Sequence, residues 1–228
     1  MGGTPQAGGG RRRPVTQAAA GGRRRQPLVE AAAGGQRRQP IIEAAIEMTA
    51  RHGWAAVTMA RLAEQVGVSR QTVYNEIGSK NALADAMLAH ELARFLAAIR
   101  DAFDRHTSDL VEAIHDAVRD VLELARDNLL VRAIASATHG ADTELVPLLT
   151  TQAESLLTEV KAMLAERVAA YRPRLTAEQV EVLIDLITRA VLSHVVQPAG
   201  TPAGTADGIA WLASRVLEEP ARKPLRYG

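Results

Sequence analysis

The sequence predicts an all-α protein, and three observations predict it. Apolar residues recur at spacings of three and four along most of the chain, the period of one helix face. Hydrophobic residues make up 47% of the composition and aromatic residues only 3%, an Ala/Leu/Val balance that suits packed helices better than a β-sandwich or barrel. Ser, Thr or Asp opens most periodic segments and Gly closes several, as helix caps do. The 228 residues suffice for one or two modest domains with a proper core. The expected order is an arm (1–39), a three-helix DNA-binding unit (40–86), a helical ligand-binding and dimerisation domain (87–220) and a tail (221–228), with about nine helices in all.

Residues 1–39 contain a tandem repeat: PVTQAAAGGRRRQ (Pro14–Gln26) is followed directly by PLVEAAAGGQRRQ (Pro27–Gln39). Two such short units would bury no shared core, so the stretch reads as a disordered Gly/Arg-rich arm. Eight arginines oppose the single Glu30 across residues 1–40, a balance of +7 (8 minus 1). The net charge is +1, so the remainder carries −6 (1 minus 7). An acidic body with a basic arm suits a nucleic-acid binder, the arm neutralising phosphates without reading sequence. Drift, or translation starting further in, would explain the arm equally well.

Pro40 fits the first turn of a helix running to about His52, with Ile42, Ala45, Ile46 and Met48 or Thr49 inward. Trp54, after Gly53, closes a small core. Thr58 is an N-cap for a helix whose Leu62, Ala63 and Val66 share a face, and Gly67 stops it. Ser69 caps a second helix, with Thr72, Val73 and Ile77 spaced to pack back on the first. Its other face keeps Arg70, Gln71, Thr72, Tyr74 and Asn75, short or planar hydrogen-bonding side chains with little negative charge apart from Glu76. Such a face suits a major groove, where Gln71 would read adenine or Arg70 guanine. Thr58, Ser69, Tyr74, Asn75 and Lys80 would hold the backbone and set register.

The stretches IIEAAIEMTARHGW (Ile41–Trp54) and VTMARLAEQVGVSRQTVYNEIGSK (Val57–Lys80), continuing into ALADAM (Ala82–Met87), resemble the DNA-binding domain of the TetR family of bacterial repressors. The resemblance rests on Ala44-Ala45 before Gly53-Trp54, on Thr58, on Gly67-Val68-Ser69, and on Thr72-Val73-Tyr74 with Ser79-Lys80 at fixed offsets. It departs at Thr49 and Ile77, where the family usually has aromatics, and at Asn75, where it usually has histidine. The resemblance implies a homodimer on a palindromic operator, repression, and release by a small effector.

Ser79 caps a long helix, roughly Asn81–Arg105, with Leu83, Met87, Leu88, Leu92, Phe95, Leu96 and Ile99 at three and four. Asp109 or Ser108 opens the next, a shorter helix spans Leu129–Thr138, and Gly140 breaks the chain. Asp142 or Thr143 starts a helix reaching towards Tyr171, with Pro147 in its first turns. Thr176 with Gln179 forms a capping box before a helix over 177–196. That helix is apolar on two faces, Val180, Leu183, Ile184, Ile187 and Val191 on one and Val182, Leu186 and Ala190 on the other, so both should be covered. PAGTPAGT reads as a flexible break before a last helix, Ala206–Leu217.

Leu183, Ile187, Val191, Trp211 and Leu212 are the expected dimer surface, two copies making a four-helix bundle. The alternative is that the extra face is covered within the monomer. Phe95, Phe103, Leu122, Ile134, Met163 and Leu186 are the candidate effector pocket, a lining suited to an aliphatic ligand, though each serves equally well as plain core. Asp185, Arg189 and His194 interrupt the apolar helix, as a rim or as a polar handle.

There is no cysteine, hence no disulfide framework or thiolate metal site, which suits a reducing cytoplasm. No run of about 18 apolar residues would cross a membrane, and the basic N-terminus lacks the apolar stretch of a secretory signal. The six histidines are scattered, with no H-x-x-x-H pair and no phosphate loop after a strand, so neither an enzyme nor a cofactor is expected. The expected partners are double-stranded DNA, a second copy and an effector of unknown identity. The competing reading is an architectural DNA-binding protein that relies on the arm and takes no effector.

Overall fold

A computed structural model of the chain describes residue 2 and residues 28–137 and 145–218, with helix side chains over 37–134 and 157–218. Among these residues lie nine α-helices: α1 (Leu28–His52), α2 (Met59–Val66), α3 (Arg70–Ile77), α4 (Lys80–Arg105), α5 (Leu110–Asp127), α6 (Leu129–Ala137), α7 (Leu145–Ala170), α8 (Ala177–Val196) and α9 (Pro202–Glu218). The fold is all-α. The expected break at Gly140, its neighbours His139 and Asp142, the tail from 221 and the first copy of the repeat fall outside the described residues.

Local chemistry accounts for most helix ends. Thr58 accepts from the Arg61 amide at 3.2 Å, Ser69 from Thr72 at 3.0 Å and Ser79 from Ala82 at 3.1 Å. Gly67 ends α2 at φ 72°, the left-handed conformation that costs glycine least. Asp109 takes the Val111 and Glu112 amides. At α8 the capping box is complete: the Gln179 amide donates to Thr176, and the Gln179 side chain accepts from the Thr176 amide at 2.8 Å.

Two ends differ from expectation. α1 begins at Leu28 rather than Pro40, so its backbone runs back through residues 28–39 of the second copy. Good helix formers, Ala31 to Ala33 and Gln36 to Gln39, alternate there with Gly34, Gly35 and Pro40, which are poor ones. Two tertiary bonds also hold the segment: Arg38 donates to the Glu76 carbonyl at 2.9 Å, and Gln39 to His90 Nδ1 at 3.2 Å. α9 begins at Pro202, within the expected flexible break. Pro202 needs no amide partner in a first turn, and Thr201 Oγ1 accepts from the Gly204 amide at 3.1 Å.

The helices enclose two cores. The first joins Ile41, Ala45, Trp54, Leu62, Val73 and Met87, and takes Leu130 from α6. Met48 and Thr49 are both buried, and Thr49 satisfies its hydroxyl on the Ala45 carbonyl at 2.7 Å. That bond explains how the small core tolerates Thr49. The second core gathers Ile99, Phe103, Ile114, Val121, Val168 and Ile184. Tyr171 closes one end, its hydroxyl donating to the His106 carbonyl at 2.7 Å and its ring set edge-on to Phe103 at 6.0 Å. α4 belongs to both cores.

Nearby, Asp116 of α5 is buried among arginine and histidine side chains. It receives His106 Nε2 at 2.8 Å, Arg105 at 3.2 Å, Arg119 at 2.9 Å and His115 at 3.2 Å. Burial would raise its pKa, but the bonds from His106, His115 and Arg105 and the Arg119 charge outweigh it and hold the carboxyl well below its ordinary range. His115 also reaches Asp207 of α9 at 3.2 Å, tying α5 to α9.

Candidate nucleic-acid interface and the cavity behind it

α3 is short, but Ser69 fixes its start, and Val73 and Ile77 fix its roll by burying one face. Arg70, Gln71, Tyr74 and Asn75 are therefore exposed together on the opposite side. They are also pre-ordered as pairs one turn apart. Gln71 Nε2 donates to Asn75 Oδ1 at 2.8 Å. The Arg70 guanidinium lies 5.6 Å from the centre of the Tyr74 ring, with a long contact of 3.5 Å to its hydroxyl. Each pair still has donors free for a base edge or phosphate, with less side-chain entropy to lose on binding.

The other expected contact residues divide by role. The Thr58 and Ser69 side chains serve as caps, and Ser69 also shares a 2.8 Å hydroxyl contact with Thr72. They present helix N-termini, which attract phosphate through orphan amides. Lys80 holds its ammonium 4.8 Å from the centre of the buried Trp54 ring, at the start of α4. Arg38 was absent from the expected set. Its bond to the Glu76 carbonyl ties α1 to the end of α3, a long-range partnership that helical periodicity does not reveal.

Behind this unit the second domain holds a cavity of about 190 Å³. Phe95 and Phe103 line it, as expected, but the other four pocket candidates do not. Leu122 faces a separate cavity of about 200 Å³ near Pro198, Ile134 packs on the first core, Met163 lies against the second, and Leu186 is 59% exposed. The lining comes instead from α4, α5, α7 and α8, including Ile99, Ile114, Leu164, Ile187 and Val191.

α8 is the main correction. Leu183, Ile187 and Val191, expected at the dimer surface, look into the cavity, whereas Leu186, expected in the pocket, is exposed along with Val196. Two neighbouring apolar faces on one helix give no local sign of which one points inward. On α9, Trp211 at 63% exposure and Leu212 at 51% stand at the surface with Val216. Asp185 pairs with Lys161 and Arg189, which hold its carboxyl low through hydrogen bonds, Arg189 most. His194 donates from Nδ1 to the Ala190 carbonyl at 2.8 Å and borders the second cavity. Neither faces the first cavity. Among the described lining residues the one polar residue is Thr188, on the stripe Ile184–Val191–Val195, with its hydroxyl oxygen turned away from the open space. Its break in that stripe was the available signal.

Among the described residues no helix is long and apolar enough to cross a membrane, and no cluster of acidic or histidine side chains is placed for a metal. An exposed recognition helix on a compact helical unit, backed by an all-helical second domain, defines a DNA-binding regulator of transcription. Comparison with known proteins agrees. Residues 41–87 match the profile described as bacterial regulatory proteins, tetR family, and residues 109–215 that of the bacterial tetracyclin repressor C-terminal domain. The chain belongs to the TetR family of transcriptional regulators.

Among its relatives is the HTH-type transcriptional regulator AlkX of Mycobacterium tuberculosis, 28% identical over 72% of this chain and 77% of the relative. A solved TetR family repressor AlkX from a Dietzia species, implicated in biodegradation of n-alkanes, superposes with a TM-score of 0.61 at 26% identity, over 79% of this chain and 95% of that one. FadR of Bacillus subtilis, solved in complex with stearoyl-CoA, shares the fold at a TM-score of 0.55 and 16% identity, over 79% of this chain and 97% of that one.

Proposed function

We propose that the protein is a repressor that binds a palindromic operator as a homodimer and is released by an apolar, aliphatic effector. The observation that carries this reading is α4. One uninterrupted helix contributes Leu83, Ala84 and Met87 to the core that holds the recognition helix, and Leu92, Phe95, Ile99 and Phe103 to the cavity wall. At 26 residues it is roughly 39 Å long, at about 1.5 Å per residue. Filling the cavity therefore presses on the same rod that positions Arg70 and Gln71. The apolar character of the described lining residues, Thr188 apart, supports an aliphatic ligand, and so does the association of the Dietzia relative with n-alkane degradation.

A lone recognition helix reads too few base pairs for a specific site, and two copies on adjacent major-groove faces solve this. Leu186, Val196, Trp211 and Leu212 are the surface we assign to the pairing, because an exposed apolar patch of this kind marks an interface. Base reading falls to Arg70 and Gln71, and backbone contact to Thr58, Ser69, Thr72, Tyr74, Asn75 and Lys80. In this reading the protein carries out no catalysis and uses no cofactor.

Selection from a random DNA pool at near-physiological salt, with full-length protein and a 40–228 fragment in parallel, tests the proposal. A shared palindromic consensus is the expected result. Binding without enrichment, lost as salt rises and retained only by the full-length chain, would replace it with non-specific association through the basic N-terminal segment.

A further inference from the structure

The second cavity, of about 200 Å³, opens where α5 turns into α6 and residues 197–201 cross from α8 to α9. Buried Leu122 and Ala125 and half-buried Val131 and Val195 give it an apolar interior. Arg126, Arg132 and His194 also line it, and no carboxylate stands among its described lining residues. On a chain whose body is acidic, that is a local excess of basic groups. Few of them are engaged elsewhere. Arg132 makes no ion pair among the described residues. Arg126 has a long contact of 3.6 Å to Asp127, with both side chains exposed, and a pair of that kind contributes little. His194 commits Nδ1 to the Ala190 carbonyl and has no described partner at Nε2. Thr201 accepts the Gly204 amide at its hydroxyl oxygen and keeps its own proton to donate.

We propose that this cavity is a second ligand site, for a small amphipathic oxyanion: a carboxylate or phosphate head on a short apolar body, with Arg126 and Arg132 taking the head. It is independent of the effector reading above, which concerns the first cavity. Arg126 stands in the last turn of α5 and Arg132 in the first turn of α6, so the two guanidinium groups belong to opposite sides of one corner. Both are exposed, and a long arginine stem lets the head stay hydrated while its methylenes cover apolar surface. An anion held at such a mouth keeps much of its own hydration and avoids the full penalty of burial. The planar guanidinium fork matches a carboxylate or a phosphate in two parallel hydrogen bonds. A hydrocarbon would leave the arginines unused, and a bare inorganic anion would leave Leu122, Val131 and Val195 uncovered. The volume exceeds the ~150 Å³ of an engineered cavity that accepts benzene, so a body of about six carbons is a suitable probe. Val196 joins the edge of the cavity to the surface assigned to pairing, so the full chain is the right material for a test.

That test is a thermal-shift titration with hexanoate, hexyl phosphate, 1-hexanol and acetate, at ionic strength matched with sodium chloride. It compares the wild type with Arg132→Lys and with Arg126→Gln and Arg132→Gln combined. Wild type is expected to bind hexanoate or hexyl phosphate more tightly than 1-hexanol or acetate, and the better of the two identifies the head. The double substitution is expected to weaken that binding roughly tenfold and leave 1-hexanol unchanged, with Arg132→Lys in between. Since both arginines are exposed, the unliganded double variant should melt within about 2 °C of wild type. Oxyanion binding that survives the double substitution would put the ligand elsewhere, the first cavity included, and overturn the assignment. Acetate bound as tightly as hexanoate would reduce the site to surface attraction of anions, and 1-hexanol bound as tightly would remove the anion from it. No shift with any of the four would leave no site here. Each of these adverse results leaves the reading of the first cavity standing, because operator selection tests that one separately.

Discussion

Asn128 donates its side-chain amide to the Glu91 carboxylate across 2.5 Å, with both residues buried. The same Asn128 uses its oxygen to accept from the Val131 amide at 2.9 Å, opening α6. One side chain therefore locks the α5–α6 corner to α4, just where Leu130 enters the first core. Asn128→Ala should destabilise the protein by about 2–4 kcal/mol, from the lost cap and a buried carboxylate left with Arg94 alone. Asn128→Asp keeps the cap but sets a second carboxylate beside Glu91, so at neutral pH it should be no more stable than Asn128→Ala. Urea unfolding of both checks this; wild-type stability in either would show the corner held by packing alone.

Arg70→Ala and Lys80→Ala should fail in different ways. The Arg70 guanidinium lies over Tyr74 on the exposed face of α3, within reach of a base edge, so its loss should cost about 1–3 kcal/mol and change which bases are preferred. Lys80 lies against Trp54 at the start of α4, and its loss should weaken all sequences alike while lowering the salt slope by about 1. Binding isotherms on a consensus operator and its point variants, at three salt concentrations, separate the two. Parallel losses would refute the division of roles.

Asp116 should give the fold an acid-sensitive component. Its folded pKa lies below the ordinary value of about 3.9, so the carboxylate stabilises the protein above that pH, and the benefit is lost as pH falls through 4 and below. Asp116→Asn should lower the melting temperature at pH 7, and the gap from wild type should narrow steadily towards pH 3. Melting curves across that range read it out. A gap that stays constant would mean the ion cluster contributes nothing that depends on the charge of Asp116.

Trp211→Glu should disrupt self-association. The indole is exposed on α9 beside Leu212, and a buried interface tryptophan commonly contributes about 2 kcal/mol or more, roughly thirtyfold in a dissociation constant. Sedimentation equilibrium should show the variant shifted to monomer, with operator affinity falling alongside. An unchanged dimer would place the interface elsewhere.

The helix ends were the most legible part of this chain. Thr58, Gly67, Ser69, Ser79, Asp109 and the Thr176–Gln179 pair act through bonds within four residues, so short-range spacing reports them. The outward face of α3 was legible for the same reason, since Val73 and Ile77 fix its roll. What failed was long-range. Arg38 and Gln39 reach residues far along the chain, and local spacing does not report such partners. On α8, Leu183 and Leu186 are equally apolar, and only the placement of α4, α5 and α7 decides which of them lines a cavity.

The Arg38–Glu76 bond has a genetic corollary. Arg38 lies in the second of two tandem copies, and Arg25 holds the matching place in the first. A recombination event that excised either thirteen-residue unit would leave an arginine two positions ahead of the proline that precedes Ile41. The duplication thus carries a spare for the residue that tethers the recognition helix, and alleles that have contracted by one unit should keep the tether.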